Sequence, residues 1–279
     1  MDEISHTPRR RACIALKRTV RAGVARRGGE AAQASSHGRG NGFAGIPPCD
    51  GFAAHHEITV ECRGVPDGRT GYLLGIQAID AIVRRHGWPI LESAFRSGAS
   101  PTGTVRALGE GIAPHLPPAA PLSALQWAPS PFFRLSWSPS MPEHAVVTEE
   151  FEFSASHRLH CPELDAAENL RLFGKCNHPG GHGHNYRLAV SVRVSTGLGS
   201  PAIAVGELER LVDLHVLSRF DHRHLNADCP EFSSLNPSVE NIAMVCHGLL
   251  QGPVRDAGAE LDRVTVWETS KTSATYPGG

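Results

Sequence analysis

The 279-residue chain is 41% apolar and 20% charged, with a formal net charge of -1 at pH 7. Near-neutrality removes the electrostatic case for a nucleic-acid or anionic-membrane partner, and no apolar run approaches the ~20 residues that span a bilayer. Seven cysteines, an odd number without C-x-x-C spacing, argue against a secreted disulfide framework and for a reducing, cytoplasmic setting.

The length allows about two domains. Residues 1–42 read as a basic disordered tail: nine of the first 39 are Arg or Lys and three are acidic, among scattered Gly, Ser and Ala. Patterning begins near residue 43. Glu57 to Arg63 alternates Ile58, Val60 and Cys62, a strand. Asp67 to Gly71 is a turn. Tyr72 to Val83 reads as a short strand running into a helix, and Pro101-Thr102 opens a second helix over 103–113 with Val105, Leu108 and Ile112 on one side. Leu122 to Trp137 returns as strand, broken by Pro129 and Pro131.

From residue 145 the order repeats. Strand 150–156 leads through a loop to strand 186–194, where Leu188, Val190, Val192 and Val194 alternate. Asp165-Ala-Ala-Glu168 has the form of a capping box. Ala202 to Val205 reads as a short strand, Glu207 to Phe220 as a helix, and Pro237-Ser238 as the start of another helix with Ile242, Val245, Cys246, Leu249 and Leu250 as its buried stripe. Leu261 to Thr269 closes the unit. Similar order at a period of ~135 residues points to a tandem duplication of one β-β-α-α-β unit, residues 43–144 and 145–279. The copies differ in polar equipment. Pro129 stands where the second half has Glu268, and the first half has no Cys-x5-His-x-His.

That last motif, Cys176 to His182 and His184, is the chemical centre of the chain. Residues two apart on a strand share a face, so His182 and His184 aim at one point. A third histidine waits at the end of the strand Glu150 to His157. Three histidines with an open fourth position compose a catalytic zinc site. His160 and His178 compete with His157 for the third place. Asp221-His222 ends a helix, where a carboxylate beside an imidazole raises its basicity for proton transfer; the same pair also suits a solvated helix terminus. Glu268 follows the buried run Val264 to Trp267, placed to grip a guanidine-like edge with two hydrogen bonds or to stand as a strand-end charge.

Six motifs between about residues 149 and 276 carry a family resemblance. They are Phe-Ser-Ala-Ser-His157-Arg-Leu, Glu168 to Asn177, His182-Gly-His184-Asn-Tyr, Asp221-His222-x-x-Leu-Asn226, Pro237-Ser-x-Glu240-Asn-Ile-Ala and Val266-Trp-Glu268-Thr. Together they resemble the 6-pyruvoyl-tetrahydropterin synthase / 6-carboxy-tetrahydropterin synthase family.

The resemblance implies an α+β T-fold, an antiparallel four-stranded sheet with two helices on one face, here tandemly duplicated and assembled into homo-oligomeric barrels. It implies Zn2+ on His157, His182 and His184, Cys176 as base, Asp221 and His222 as relay partners, and Glu268 as anchor for the pterin ring. Where the family has a Thr-Thr pair against the pterin, this chain has Ser238-Val239, leaving one hydroxyl. The implied substrate is 7,8-dihydroneopterin triphosphate. The implied products are 6-pyruvoyl-tetrahydropterin, on the tetrahydrobiopterin route, or 6-carboxy-tetrahydropterin, on the queuosine route. The five-residue gap from Cys176 to His182 resembles the pyruvoyl type, while the Ala/Gly/Arg-rich composition suggests a bacterial chain, where the carboxy role is commoner. A non-catalytic zinc- and pterin-binding paralogue, or another T-fold purine or pterin enzyme, is the alternative. Retention of Cys176, Asp221 and His222 favours catalysis, since binding alone would not require them.

Overall fold

A computed structural model describes residues 12–25, 53–197 and 205–278. The chain divides into two compact units between Ala145 and Val146. Both are α+β, with mainly antiparallel sheet and helices.

In the first unit, β1 (Ile14–Ala25) pairs antiparallel with β2 (Ala53–Gly64), which pairs with β3 (Leu122–Ser130), which turns into β4 (Phe133–Trp137). Strand β1 corrects the expectation of a tail at residues 14–25; residues 1–11 and 26–42 lie outside the described residues. Its alternation of Leu16, Val20 and Val24 is masked in sequence by Arg18 and its basic neighbours. In the fold those charges are paired. Arg18 Nε and Nη2 each donate at 2.7 Å to Asp80, and Lys17 reaches Glu61 at 3.1 Å. Val20 and Val24 are buried.

Helix α1 (Ile76–Ile82) continues through a π-helical turn, Val83–Gly87, into α2 (Trp88–Ser97). No strand precedes it at 72–75, where the chain is irregular. Helix α3 (Pro101–Ile112) is capped by Ser100, whose side chain accepts from Gly103 N at 3.2 Å, and buries Val105, Leu108 and Ile112. The missing side chain of Gly109 makes room for the Trp137 ring; a Cβ there would stand 2.1 Å from Cε3.

The second unit repeats the plan. Strands β5 (His144–His157), β6 (His182–Ser195), β8 (Glu260–Thr269) and β9 (Thr272–Tyr276) are neighbours in that order, and the two-residue β7 (Arg223–His224) adds parallel to β5. The β5–β6 connection holds α4 (Ala166–Phe173), whose capping box is present: Glu168 N donates to Asp165 at 2.8 Å and Asp165 N to Glu168 at 3.1 Å. Helix α5 (Val205–Val212) runs through a π-helical turn, Asp213–Leu217, into the short α6 (Ser218–Phe220). Val205 is therefore helical, and the rest of the expected strand 202–205 lies outside the described residues. A single turn, α7 (Leu225–Asp228), precedes the long α8 (Val239–Asp256). Tyr186, Leu188, Val190, Val192 and Val194 of β6 are buried with Ile242, Cys246 and Leu250 of α8.

The two units share ladder detail. Register slips between Glu61 and Cys62 on β2, and between Ser191 and Val192 on β6. On the partner strands Cys62 faces Leu122 and Glu61 faces Ala124, as Val192 faces Leu261 and Ser191 faces Arg263. The hairpins also correspond: Leu125 faces Trp137 and Ser130 faces Phe133, as Val264 faces Tyr276 and Thr269 faces Thr272. Counted from these pairs, Ala54 takes the position of His184, and Pro129 that of Glu268.

Candidate metal centre

Three strand ends build the site. Strand β5 ends on His157, β6 begins with His182 and His184, and Glu268 stands one residue before the end of β8. One ligand atom from each of these four residues falls within 4.8 Å of the others. Gly181 makes the entry to β6 possible. Its φ is +68°, and a Cβ there would lie 2.8 Å from His157 O and 2.9 Å from His224 Nε2.

The imidazoles are set for coordination. His157 is fully buried, and its Nδ1–H donates to Pro237 O at 2.7 Å, leaving the Nε2 lone pair facing the cluster. Tyr186 Oη lies 3.4 Å from the same Nδ1. His157 Nε2 is 3.2 Å from His182 Nε2 and 3.3 Å from Glu268 Oε1, and His184 Nε2 is 3.4 Å from that oxygen. Nitrogen and oxygen ligands bound tetrahedrally at about 2.0–2.1 Å are roughly 3.3–3.4 Å apart, so these separations suit one small cation. His184 Nε2 is buried with no hydrogen-bond partner, an orphan that a metal would satisfy. Burial pushes the pKa values of His157 and His182 down, and neighbouring imidazoles add to this. The lowering favours the neutral form that ligation requires.

The rival histidines are employed elsewhere. His160 Nδ1 joins Asn177 Oδ1 (3.0 Å) and Arg158 Nη2 (3.3 Å), and His178 Nδ1 accepts from Gly180 N at 3.1 Å. Cys176 lies on the 3-10 turn Gly174–Asn177, and its carbonyl accepts from Leu159 N at 2.9 Å. Burial, with Glu268 and Cys176 as lesser contributors, raises the pKa of the Tyr186 phenol. Asp221 Oδ1 accepts from Ser154 N at 2.8 Å and Oδ2 meets His222 Nδ1 at 2.9 Å. These contacts, Ser154 first, hold the Asp221 pKa down. His222 itself is exposed and has a left-handed backbone, φ +56°, a strained state that clusters at functional sites. His222 shares with His184 an open cavity of about 610 Å³ that Ser154, Ser156, Asn185 and His224 also line. Cys176 does not line it, so within one chain the expected base and its relay are not brought together there. Ser238 is the N-cap of α8 and accepts from Asn241 N at 3.4 Å.

The sequence reading assigned no role to the support beneath His157. Asn226 Oδ1 accepts from Arg158 N at 2.8 Å, and its Nδ2 donates to Arg158 O at 3.1 Å. The residue after the ligand is thus clamped on both backbone groups. Tyr186 and Asn226 stand inside quoted motifs, but their work depends on backbone placed by distant loops.

The fold and site define an α+β protein with a preformed three-histidine, one-carboxylate cluster at the ends of an antiparallel sheet. Residues 146–279 match the family model described as 6-pyruvoyl tetrahydropterin synthase. Human 6-pyruvoyl tetrahydrobiopterin synthase is 37% identical over 138 residues, 48% of this chain and 92% of that protein. A putative 6-pyruvoyl tetrahydrobiopterin synthase of Caenorhabditis elegans is 38% identical over 136 residues, covering 48% and 96%. Among solved structures, Caenorhabditis elegans 6-pyruvoyl tetrahydropterin synthase is 35% identical with a TM-score of 0.45, covering 49% of this chain and 96% of that one. The chain belongs to the 6-pyruvoyl tetrahydropterin synthase family. Among the described residues, no helix is long and apolar enough to cross a membrane.

Proposed function

We propose that the second unit is a zinc-dependent lyase that converts 7,8-dihydroneopterin triphosphate to 6-pyruvoyl-tetrahydropterin, releasing triphosphate. The convergence of His157, His182 and His184 carries this reading, because it brings imidazole nitrogens together from strands 25 residues apart. The relatives named as 6-pyruvoyl synthases and the Cys-x5-His spacing support the pyruvoyl product over the 6-carboxy one. The conversion needs no external oxidant. One side-chain carbinol becomes a carbonyl as the ring C=N is reduced, and the second carbonyl arises from the enol left by triphosphate loss.

Zinc on the three histidines supplies positive charge that polarises the side-chain oxygens and acidifies the adjacent C–H. Cys176 takes that proton as base. His222 moves protons through Nε2, with Nδ1 held by Asp221 at 2.9 Å. Glu268 accepts from the 2-amino and ring N–H groups of the pterin, and the Ser238 hydroxyl contributes a further contact. That His222 lines a cavity which Cys176 does not favours a site completed between copies, in a homo-oligomer of T-fold barrels.

The first unit is proposed as a degenerate copy that keeps the T-fold scaffold. The matched bulges and hairpin registers support duplication, and Ala54 and Pro129 remove two of the donor positions. The test is incubation of the zinc-loaded chain with 7,8-dihydroneopterin triphosphate and mass identification of the pterin. A 6-pyruvoyl product supports the proposal. A 6-carboxy product with acetaldehyde moves the chain to the queuosine-type branch, and bound zinc without turnover favours a binding paralogue.

A further inference from the structure

Two consecutive residues after His157 hold two consecutive residues of the turn that carries Cys176. Leu159 N donates to Cys176 O at 2.9 Å. Arg158 Nε donates to Asn177 O at 3.0 Å, and Nε and Nη2 approach Asn177 Oδ1 at 3.2 and 3.0 Å. His160 Nδ1 lies 3.0 Å from the same oxygen. His160 is tied in turn to the support of the metal cluster. Its N–H donates to Asn236 Oδ1 at 3.2 Å, and Asn236 precedes Pro237, whose carbonyl accepts from His157 Nδ1 at 2.7 Å. The contacts close a circuit through His157, Arg158, Asn177, His160, Asn236 and Pro237. Arg158 springs from a backbone that Asn226 already fixes on both sides. Hydrogen bonds from a charged donor are about twice as strong as neutral ones, and the rigid guanidinium fork loses little freedom in making several at once.

The turn needs this support. It spans only Gly174–Asn177, follows α4, and is entered at Gly174 with φ +53°. Tyr186, whose Oη lies 3.4 Å from His157 Nδ1, is close enough for both Cys176 and Glu268 to act on its ionisation, so the thiol stands near the cluster. We propose that Arg158 is a positioning residue, whose guanidinium bolts the Cys176–Asn177 turn to the end of β5 and so aims the thiol at the substrate carbon beside the metal. The proposal rests on the reading of Cys176 as base and adds the group that orients it. A general base must stand within hydrogen-bond reach of the proton it takes, and a misplacement of about 1 Å can cost about a hundredfold in rate. Because one segment carries both His157 and the brace, the metal ligand and the base are held in a single frame. Lysine at 158 would keep the charge and lose the planar fork that spans Asn177 O and Oδ1.

The experiment compares the full zinc-loaded chain with Arg158→Lys, Asn177→Ala and the double variant. Fold is checked by circular dichroism and zinc affinity by competition with a chromophoric chelator. Cys176 is read directly, as the rate of iodoacetamide alkylation located by peptide mass, beside kcat and KM on 7,8-dihydroneopterin triphosphate. Each single variant should lose at least about tenfold in kcat with KM little changed. Each should alkylate at Cys176 roughly threefold faster or more, because the freed turn exposes the thiol. Zinc affinity should fall by less than about tenfold, the lower bound for groups that orient a ligand. The double variant should lose little more than the worse single one, as expected of partners in one contact. A folded Arg158→Lys with wild-type alkylation and kcat would overturn the proposal. So would zinc affinity falling in step with kcat, or losses that simply add; Asn177→Ala decides alone if Arg158→Lys does not fold. Wild type without turnover defeats only the catalytic reading, and the alkylation rates still decide the brace.

Discussion

Glu149 on β5 is buried, and its carboxyl is pushed from 4.5 to about 7 by burial first and then by Glu209 on α5. The sign follows from comparing states. Below about pH 4.5 the group is protonated in both folded and unfolded chains and contributes nothing. As pH rises from 4.5 to 7 the unfolded carboxyl ionises while the folded one retains its proton, so a penalty on the fold accumulates and is complete above about 7. At about 1.4 kcal/mol per pH unit, the full penalty is on the order of 3 kcal/mol. Glu149→Gln keeps the shape without ionising. Thermal unfolding followed by circular dichroism from pH 4.5 to 8.5 should show the two proteins alike at the acid end. Above pH 7 the variant should be more stable by roughly 6–12 °C, at about 2–4 °C per kcal/mol. Parallel curves across the range would refute the reasoning, since they would mean that Glu149 ionises alike in both states.

Cys176→Ala should keep zinc, measured by metal analysis, and lose at least about a hundredfold in turnover, the scale of general-base catalysis; unchanged turnover would remove Cys176 as base. Asn226→Ala should free the Arg158 backbone clamped at 2.8 and 3.1 Å, costing about 1–3 kcal/mol and weakening zinc binding through His157, with both read in one melting series with and without metal. Gly109→Ala drives a methyl to within 2.1 Å of the Trp137 ring. It should destabilise the first unit by about 1–3 kcal/mol despite alanine's better helix propensity, and a neutral effect on tryptophan-monitored unfolding would contradict the packing.

What sequence disclosed well was local. The strand alternation at Ile58 to Cys62 and Leu188 to Val194, the helix stripes, and the Asp165–Glu168 box each declare themselves within a few residues, because period and cap chemistry are short-range. The His182–His184 pair was legible for the same reason. Strand β1 was not, because Arg18 occupies an inward position and is neutralised by Asp80, a partner 62 residues away. The placement of Asp221–His222 was equally hidden. Its neighbour Ser154 is 67 residues distant, and only the folded sheet shows that His222 faces a cavity that Cys176 does not line. The carboxylate of Glu268 read as a strand-end group, and its approach to His157 depends on how β8 lies against β6.

The placement of the four clustered residues bears on the proposal that the first unit keeps the scaffold without the chemistry. His157, His182, His184 and Glu268 all lie at strand ends, whereas Leu188, Val190, Val192, Val264 and Val266 in mid-strand are buried. Exchanging an end residue leaves that core intact, and at His184 it also removes a buried nitrogen that has no hydrogen-bond partner. An unpaired buried polar atom costs about 1–3 kcal/mol. Metal-free His184→Ala should therefore be no less stable than metal-free wild type, the loss of packing being offset by the loss of that penalty. Zinc should reverse the order. At a hundredfold excess over its dissociation constant a ligand adds about 2.7 kcal/mol to the protein that binds it, so wild type should gain several degrees on metal addition and the variant little. A metal-free variant that melts well below wild type would show instead that the imidazole is part of the core, and that the first unit needed compensating changes beyond Ala54 and Pro129 to keep its fold.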